Sequence, residues 1–255
     1  MQPPIVEISS RMSGVKGARR APRSGRRPLT PNIRGAFAVL VSFLLLPFEA
    51  HPAEPATTST QPAAASLDAR AVLASVRKAY SSSPSVLSTF VQTYAPAGFA
   101  ESSPETGRLL LQAPDSVRFD YDGPEGKVFT FDGKAGRQFV AADRQLVVRT
   151  LRPEERARLP LLFLESPESL LARFAARVTA RDAGLVELVL TPRAGADPKS
   201  VTLLAAASGE VKRLVLVDAA GNRTTFTFTQ KMPGPRRPVS DFALVPPEGT
   251  KILSE

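Results

Sequence analysis

The sequence predicts a mainly β protein with a few short helices, of the α+β class. From Val86 onward, apolar and aromatic residues stand at every second position, and Val117, Phe119 and Tyr121 are the clearest case. These short runs are separated by turn residues such as Asp132-Gly133, which is typical of antiparallel hairpins. We predict about ten or eleven strands in a single domain, because no internal repeat divides the chain.

The first 50 residues have the layout of an export signal. An arginine-rich stretch is followed by an apolar run from Gly35 to Phe48 and then by small residues. A run of about 14 residues is short for crossing a bilayer, which takes roughly 20. We therefore predict a cleaved signal peptide over residues 1–50, with a signal anchor or a buried helix as the alternatives. Met12 is an alternative start.

The charge distribution and the lack of cysteine exclude several classes of protein. The formal net charge is +9, but residues 1–50 hold 8 of the 33 Lys and Arg and 2 of the 24 Asp and Glu, which leaves 25 basic and 22 acidic residues for the rest. Such a dispersed balance does not favour a nucleic-acid binder. With no cysteine in the chain, disulfides, thiol catalysis and the usual lipid-anchoring residue are excluded. If the signal peptide is cleaved, we expect a protein of an extracytoplasmic space that is not lipid-anchored.

A leader and one amphipathic helix precede the strands. Residues 51–65 are rich in Pro, Ala and Thr without periodicity, which predicts a disordered leader. Ser66 is then the predicted N-cap of a helix that ends near Ser81. One side of that helix is apolar, with Leu67, Val72, Leu73, Val76 and Tyr80. The folded domain is predicted to cover residues 66–255.

The strand pattern is interrupted between Pro153 and Ala176. Pro153 opens like a helix, residues 159–164 are almost wholly apolar, and Ser166 starts a second short helix that runs through Phe174. Two interpretations remain open for this segment, a packed connection and a mobile lid over a cavity. Strands resume at Leu185, and residues 242–244 are the predicted final edge strand.

Groups suited to catalysis are scarce. His51, the only histidine, lies in the leader, so no histidine-based triad or metal cluster can form in the domain. The chain has no nucleophile elbow, phosphate-binding loop or dinucleotide fingerprint. The carboxylate pairs, such as Asp120 with Asp122 and Glu154 with Glu155, are interpreted as solvated charges. We expect no enzyme activity, no cofactor and no metal. What remains is a wide apolar surface that must be covered.

Several short motifs occur in a characteristic order between about Leu67 and Ile252. They are Phe90-x-Gln92, Gly107-x-Leu109, Arg118-Phe119-x-Tyr121, Asp132-Gly133, Pro160-Leu161-Leu162, Asp218-x-x-Gly221 and Phe242-x-Leu244-x-Pro246-Pro247-x-Gly249. In this order and spacing, the chain resembles the LolA-like family of periplasmic outer-membrane lipoprotein carrier proteins.

The resemblance implies a fold and a function. The fold would be an unclosed, strongly curved antiparallel β-barrel with a helical lid. Its hydrophobic interior would bind acyl chains of lipoproteins, or a related lipid. The protein would be a soluble, monomeric carrier that takes its cargo from an inner-membrane transporter to an outer-membrane receptor. The residues expected to line the cavity and lid are Leu73, Val76, Phe90, Leu109, Leu111, Val117, Phe119, Tyr121, Phe129, Phe131, Leu161, Leu162, Phe163, Phe226 and Phe228.

One position departs from the family pattern. Where the family has an arginine that bonds to the lid, immediately before Pro114, this chain has Ala113. Arg118 and Arg108 are the candidate replacements for that latch. Two alternative functions stay open. One is a lipid-responsive sensor domain of the same fold that binds protein partners, and the other is a lipid hydrolase.

Overall fold

The computed structural model describes residues 63–182, 184–194 and 197–254. The predicted signal peptide (1–50) and all of the predicted leader (51–65) except its last three residues lie outside this range. The described strands are β1 Ser85–Ala95, β2 Glu105–Gln112, β3 Ser116–Tyr121, β4 Lys127–Asp132, β5 Ala135–Val140, β6 Gln145–Thr150, β7 Phe174–Asp182, β8 Leu185–Pro192, β9 Ser200–Ala206, β10 Val211–Val217, β11 Arg223–Gly234 and β12 Lys251–Ser254.

Short helical segments accompany these strands. Three are α-helices and two are 3-10 turns: α1 Ala63–Ser81, α2 Pro153–Arg156, η1 Pro160–Phe163, α3 Pro167–Arg173 and η2 Val239–Asp241. The Ser81 end of α1 is confirmed, but the predicted N-cap at Ser66 is wrong because the helix already begins at Ala63. The start of α3 is confirmed, since the Ser166 hydroxyl accepts a hydrogen bond from the Ser169 N–H at 3.1 Å.

The described strands form a single open sheet. Their order is β12-β6-β5-β4-β3-β2-β1-β11-β10-β9-β8-β7. The pairing of β1 with β11 joins the first half of the chain to the second, and every pairing is antiparallel except that of β12 with β6. Because β12 and β7 stand at opposite ends of the order, the curved sheet is not closed, and "barrel" describes it only approximately.

The predicted mainly β class is confirmed, while the strand count and two assignments need correction. The described residues hold twelve strands rather than ten or eleven. Residues 174–182 form β7 although the sequence pattern extended a helix through Phe174. Residues 242–244 are not a strand, because they follow the 3-10 turn η2 without regular structure and the chain pairs only later, as β12.

Alternation along the strands sends apolar side chains to one face, which we call the inner face. In register across β2, β3 and β4, Leu109 lies beside Phe119 and Phe119 beside Phe129, and all three are buried. Helix α1 lies against this face, contacting β7, β8 and β1. Its buried residues follow the helical spacing: Ala69, Leu73, Val76 and Tyr80.

The β9–β10 turn approaches α1 so closely that it requires a glycine. Gly209 has a φ of +84°, and a Cβ atom there would lie 2.0 Å from the backbone oxygen of Ser75. The turn therefore supports the helix by direct backbone contact, which sets how deeply α1 sits over the inner face.

Candidate functional site

Aromatic rings form the centre of the inner face. The ring of Phe90 lies 5.1 Å from Tyr121, 5.5 Å from Phe119 and 5.9 Å from Phe226, each in an edge-to-face arrangement. It packs directly over Gly107, where a Cβ atom would come within 2.7 Å of the ring. A larger residue at Gly107 would therefore displace the central ring.

The second half of the sheet completes this face with aliphatic residues. Leu188, Leu203, Leu214 and Phe226 are neighbours in register from β8 to β11, and each is buried. The sequence prediction included only the β11 residues from this half, although β8, β9 and β10 show the same period-two pattern. That alternation was the signal that could have found the aliphatic residues.

Helical segments, not a second sheet, close the inner face. We call α1 together with residues 153–173 the helical cover. Within it, Leu161, Leu162 and Phe163 are buried against the core. The Phe163 ring lies 4.9 Å from that of Tyr80 on α1 and 5.9 Å from that of Phe228 on the sheet. The helical cover is thus held to the sheet mainly by apolar contacts, which are non-directional.

All of the residues predicted to line the cavity and lid lie in this single apolar cluster, with Tyr121 at its partly buried edge. In this structure the side chains of the cluster pack against one another. A ligand that used the inner face would have to replace contacts now made by the helical cover.

Polar groups form hydrogen bonds beside the aromatic rings. The Tyr121 hydroxyl donates a hydrogen bond to Oε1 of Gln92 at 2.5 Å, and Gln92 is only 3% exposed. Burial raises the pKa of Tyr121, so its hydroxyl remains a donor at neutral pH. At the other side of the cluster, the Tyr80 hydroxyl accepts a hydrogen bond from the Val211 N–H at 3.3 Å.

The structure contradicts the assignment of Arg118 and Arg108 as lid latches. Alternation puts both on the outer face of the sheet, opposite the helical cover. Arg118 donates to both carboxylate oxygens of Asp120, at distances from 2.8 to 3.0 Å, and to the backbone oxygen of Asp241 at 2.8 Å. Since neighbouring inward residues such as Phe119 fill the interior, neither arginine can reach the cover from its position.

Ion pairs near the start of residues 153–173 connect the helical cover to the sheet. The Glu155 carboxylate on α2 accepts hydrogen bonds from Arg149 of β6 at 2.5 Å and from the Arg152 N–H at 2.8 Å. Glu155 is 4% exposed, so its interpretation as a solvated charge is wrong. Farther along, Arg158 pairs with Asp197, in the loop between β8 and β9.

These fastenings differ in their exposure. Arg158 is largely buried, and burial lowers its pKa to about 10 against the opposing effect of the Asp218 and Glu155 carboxylates. The pair between Arg70 on α1 and Glu168 on α3 is instead exposed on both sides. Exposed pairs contribute little, whereas removing one partner of a pair withdrawn from water leaves the other charge buried and unpaired, which is costly.

Within the part of the chain that the structure describes, no three His, Cys, Asp or Glu side chains are grouped to hold a metal ion. Helices of sufficient length and apolarity to cross a membrane are likewise absent from residues 63–182, 184–194 and 197–254.

Comparisons with known proteins identify the family to which this architecture belongs. Residues 81–242 match the model of the family described as outer membrane lipoprotein carrier protein LolA. The chain belongs to the LolA family. An outer-membrane lipoprotein carrier protein from Ralstonia nicotianae is 28% identical over 96 residues, which are 38% of this chain and 45% of that relative. The aligned region thus spans less than half the length of this LolA-family relative.

Two solved structures are similar in fold. An uncharacterized conserved protein from Thermus thermophilus has a TM-score of 0.48 at 12% identity, covering 74% of this chain and 99% of its own. A LolA superfamily protein from Nitrosomonas europaea has a TM-score of 0.41 at 12% identity, covering 68% of this chain and 96% of its own.

Proposed function

We propose that this LolA-family protein is a periplasmic carrier that encloses acyl chains of a lipoprotein, or of a related lipid, against the inner face. The observation that carries the proposal is the aromatic and aliphatic inner face closed by short helices alone. The signal peptide over residues 1–50 would deliver the folded domain to the periplasm, where it would pass cargo from an inner-membrane transporter to an outer-membrane receptor. No catalytic step is involved.

Lipid uptake would exchange one set of apolar contacts for another. Moving η1 and α1 away exposes residues such as Leu73, Leu162 and Phe163, and each costs about 1.5–3 kcal/mol when it leaves an apolar environment for water. Acyl chains entering the same space return a comparable free energy, at about 0.8 kcal/mol for each buried CH₂. The exchange is feasible because dispersion and hydrophobic contacts do not require one particular partner.

The position of the ion pairs suggests how the cover would move. Arg158 joins the segment between α2 and η1 to Asp197 in the β8–β9 loop, on the opposite half of the sheet from β6. We infer that this pair replaces the missing arginine at Ala113 as the fastening of the closed state. Release of Arg158 from Asp197 would allow η1 to rotate away from the sheet about α2. Helix α2 itself would stay in place, because its Glu155 pairs with Arg149 of β6.

The test is calorimetric titration of the purified protein with a triacylated lipopeptide and with the same peptide lacking its acyl chains. Binding of the acylated peptide alone supports the proposal. Equal heats for both peptides, or no binding of either, would contradict it, and capture of a membrane signalling protein without lipid would favour the sensor function instead.

A pair of variants locates the binding surface. Phe226→Asp places a carboxylate among the central rings and is expected to abolish lipopeptide binding, while Phe99→Asp changes a residue that is 77% exposed in the β1–β2 loop and should leave it intact. Circular dichroism shows whether each variant folds. If Phe226→Asp does not fold, the comparison of acylated and non-acylated peptide decides the question.

A further inference from the structure

A groove on the outer face has no role in the proposed carrier function. It has a volume of about 530 Å³ and lies where the end of β11 passes beside β1, β2 and β3. We call it the outer groove. Its lining includes Arg108, Arg118, Asp120, Met232, Arg237 and Asp241.

The wall of the outer groove is fixed by directional hydrogen bonds. The Ser85 hydroxyl donates to the backbone oxygen of Pro235 at 2.7 Å. The Gln112 side chain pairs with the Arg237 backbone in both directions, accepting from its N–H at 2.7 Å and donating to its carbonyl at 3.2 Å. A wall held in this way keeps its shape without a ligand.

Cationic side chains remain available at the groove after the internal ion pairs are formed. Asp120 accepts from Arg118, and Asp241 accepts from Arg237 at 2.8 Å. Arg108 is exposed and its guanidinium forms no hydrogen bond or ion pair with any of the described residues. Charge complementarity therefore favours an anionic partner.

Exposed apolar side chains stand beside these cations. Met232 lines the groove and is 46% exposed, and Val239 is 73% exposed two residues after Arg237. Arg236, also exposed, lies between the groove-lining residues Pro235 and Arg237. Guanidinium groups next to exposed apolar side chains match the interface of an anionic bilayer, where phosphates and the first methylenes are neighbours.

We propose that the outer groove and the adjoining residues 236–239 bind the surface of a bilayer that contains anionic phospholipid. Arg108 and Arg236 face lipid phosphates, while Met232 and Val239 enter the interfacial region. The contact is peripheral and reversible. It is made by the face opposite the proposed cargo space, so it does not depend on the carrier function.

Co-sedimentation of the purified protein with vesicles tests this proposal. Vesicles of phosphatidylcholine containing phosphatidylglycerol should retain the protein at low salt and release it at high salt, and vesicles of phosphatidylcholine alone should retain much less. Phospholipid extracted into the interior would leave the protein in the supernatant, so the sedimented fraction reports only the outer surface.

Matched variants assign the contact to the groove. Arg108→Gln should weaken binding to the anionic vesicles by about fivefold, the effect of about 1 kcal/mol for one basic residue at such a surface. Arg213→Gln removes the same charge from an exposed position on β10, beside Thr227 and outside the groove lining, and should have a smaller effect. Equal losses in both variants, equal binding to both vesicle types, or no sedimentation would each overturn the proposal.

Discussion

The two faces of the sheet are built by the same strands but are covered in different ways. On the inner face, α1 and η1 are held mainly by apolar packing, with rings such as Phe163 filling the space above the strands. On the outer face, the segment after β11 is held by hydrogen bonds from Ser85, Gln112 and Arg118 to its backbone. Packing can be exchanged for another apolar partner, whereas geometrically matched hydrogen bonds fix one arrangement. The helical cover on the inner face is therefore suited to move, whereas the segment after β11 on the outer face is suited to stay in place.

The largest effect should come from the sheet side of the inner face. Phe131 is fully buried, and the guanidinium of Arg156 lies over its ring at 5.1 Å. Phe131→Ala is expected to lower the free energy of unfolding by about 3–5 kcal/mol, because it removes a buried ring and leaves a cavity. Urea denaturation followed by circular dichroism measures this, with exposed Phe99→Ala as a control that should change it by less than about 0.5 kcal/mol.

A smaller but specific effect is expected on the outer face. Gln112→Ala leaves the Arg237 N–H and carbonyl without their partners and should cost about 2 kcal/mol in unfolding free energy. It should also loosen residues 235–241, so their amide hydrogens would exchange faster while those of β3 keep their protection. Gln145→Ala, at the half-buried start of β6, is the matched control. Unchanged exchange in 235–241 would show that hydrogen bonds do not hold this segment.

The smallest effect concerns the fastening of the helical cover. Asp197→Asn removes the carboxylate that pairs with largely buried Arg158. We expect the cover to open about tenfold more often, which corresponds to about 1.4 kcal/mol, without a large loss of overall stability. The rate at which maleimide modifies a buried thiol introduced by Leu162→Cys measures the opening.

Glu168→Gln is the control for this change, because it alters the exposed pair with Arg70 and should change the modification rate little. If both substitutions accelerate modification equally, the Arg158–Asp197 pair has no special role in closing the cover.

The sequence predicted those parts of the fold that follow from local patterns. Val117, Phe119 and Tyr121 alternate with charged residues, so the sequence alone indicated that their side chains share one face of a strand. Asp132-Gly133 correctly predicted the turn between β4 and β5. The same alternation places Arg118 outward, which already argued against its role as a latch.

Features that depend on distant segments were not predictable in this way. Residues 174–182 contain three alanines and continue the apolar spacing of α3, so β7 became recognisable only through its pairing with β8. The four-residue β12 forms because β6 has a free edge with which it can pair. Neither the burial of Glu155 nor the pairing of Arg158 with Asp197 leaves a local signal, because each needs partners that the fold brings together.

One measurement tests most directly whether lipid replaces the helical cover on the inner face. It depends on the chain having no native cysteine. Leu162→Cys places a single thiol within the cover, where the native side chain is buried against the core, and Ala220→Cys places one on an exposed turn. Maleimide modification of the Leu162→Cys thiol should become faster when a triacylated lipopeptide is added and should not respond to the non-acylated peptide, while Ala220→Cys should react at the same rate throughout. If lipopeptide binds but the buried thiol stays equally protected, the cover does not move for the ligand, and the proposed exchange is wrong.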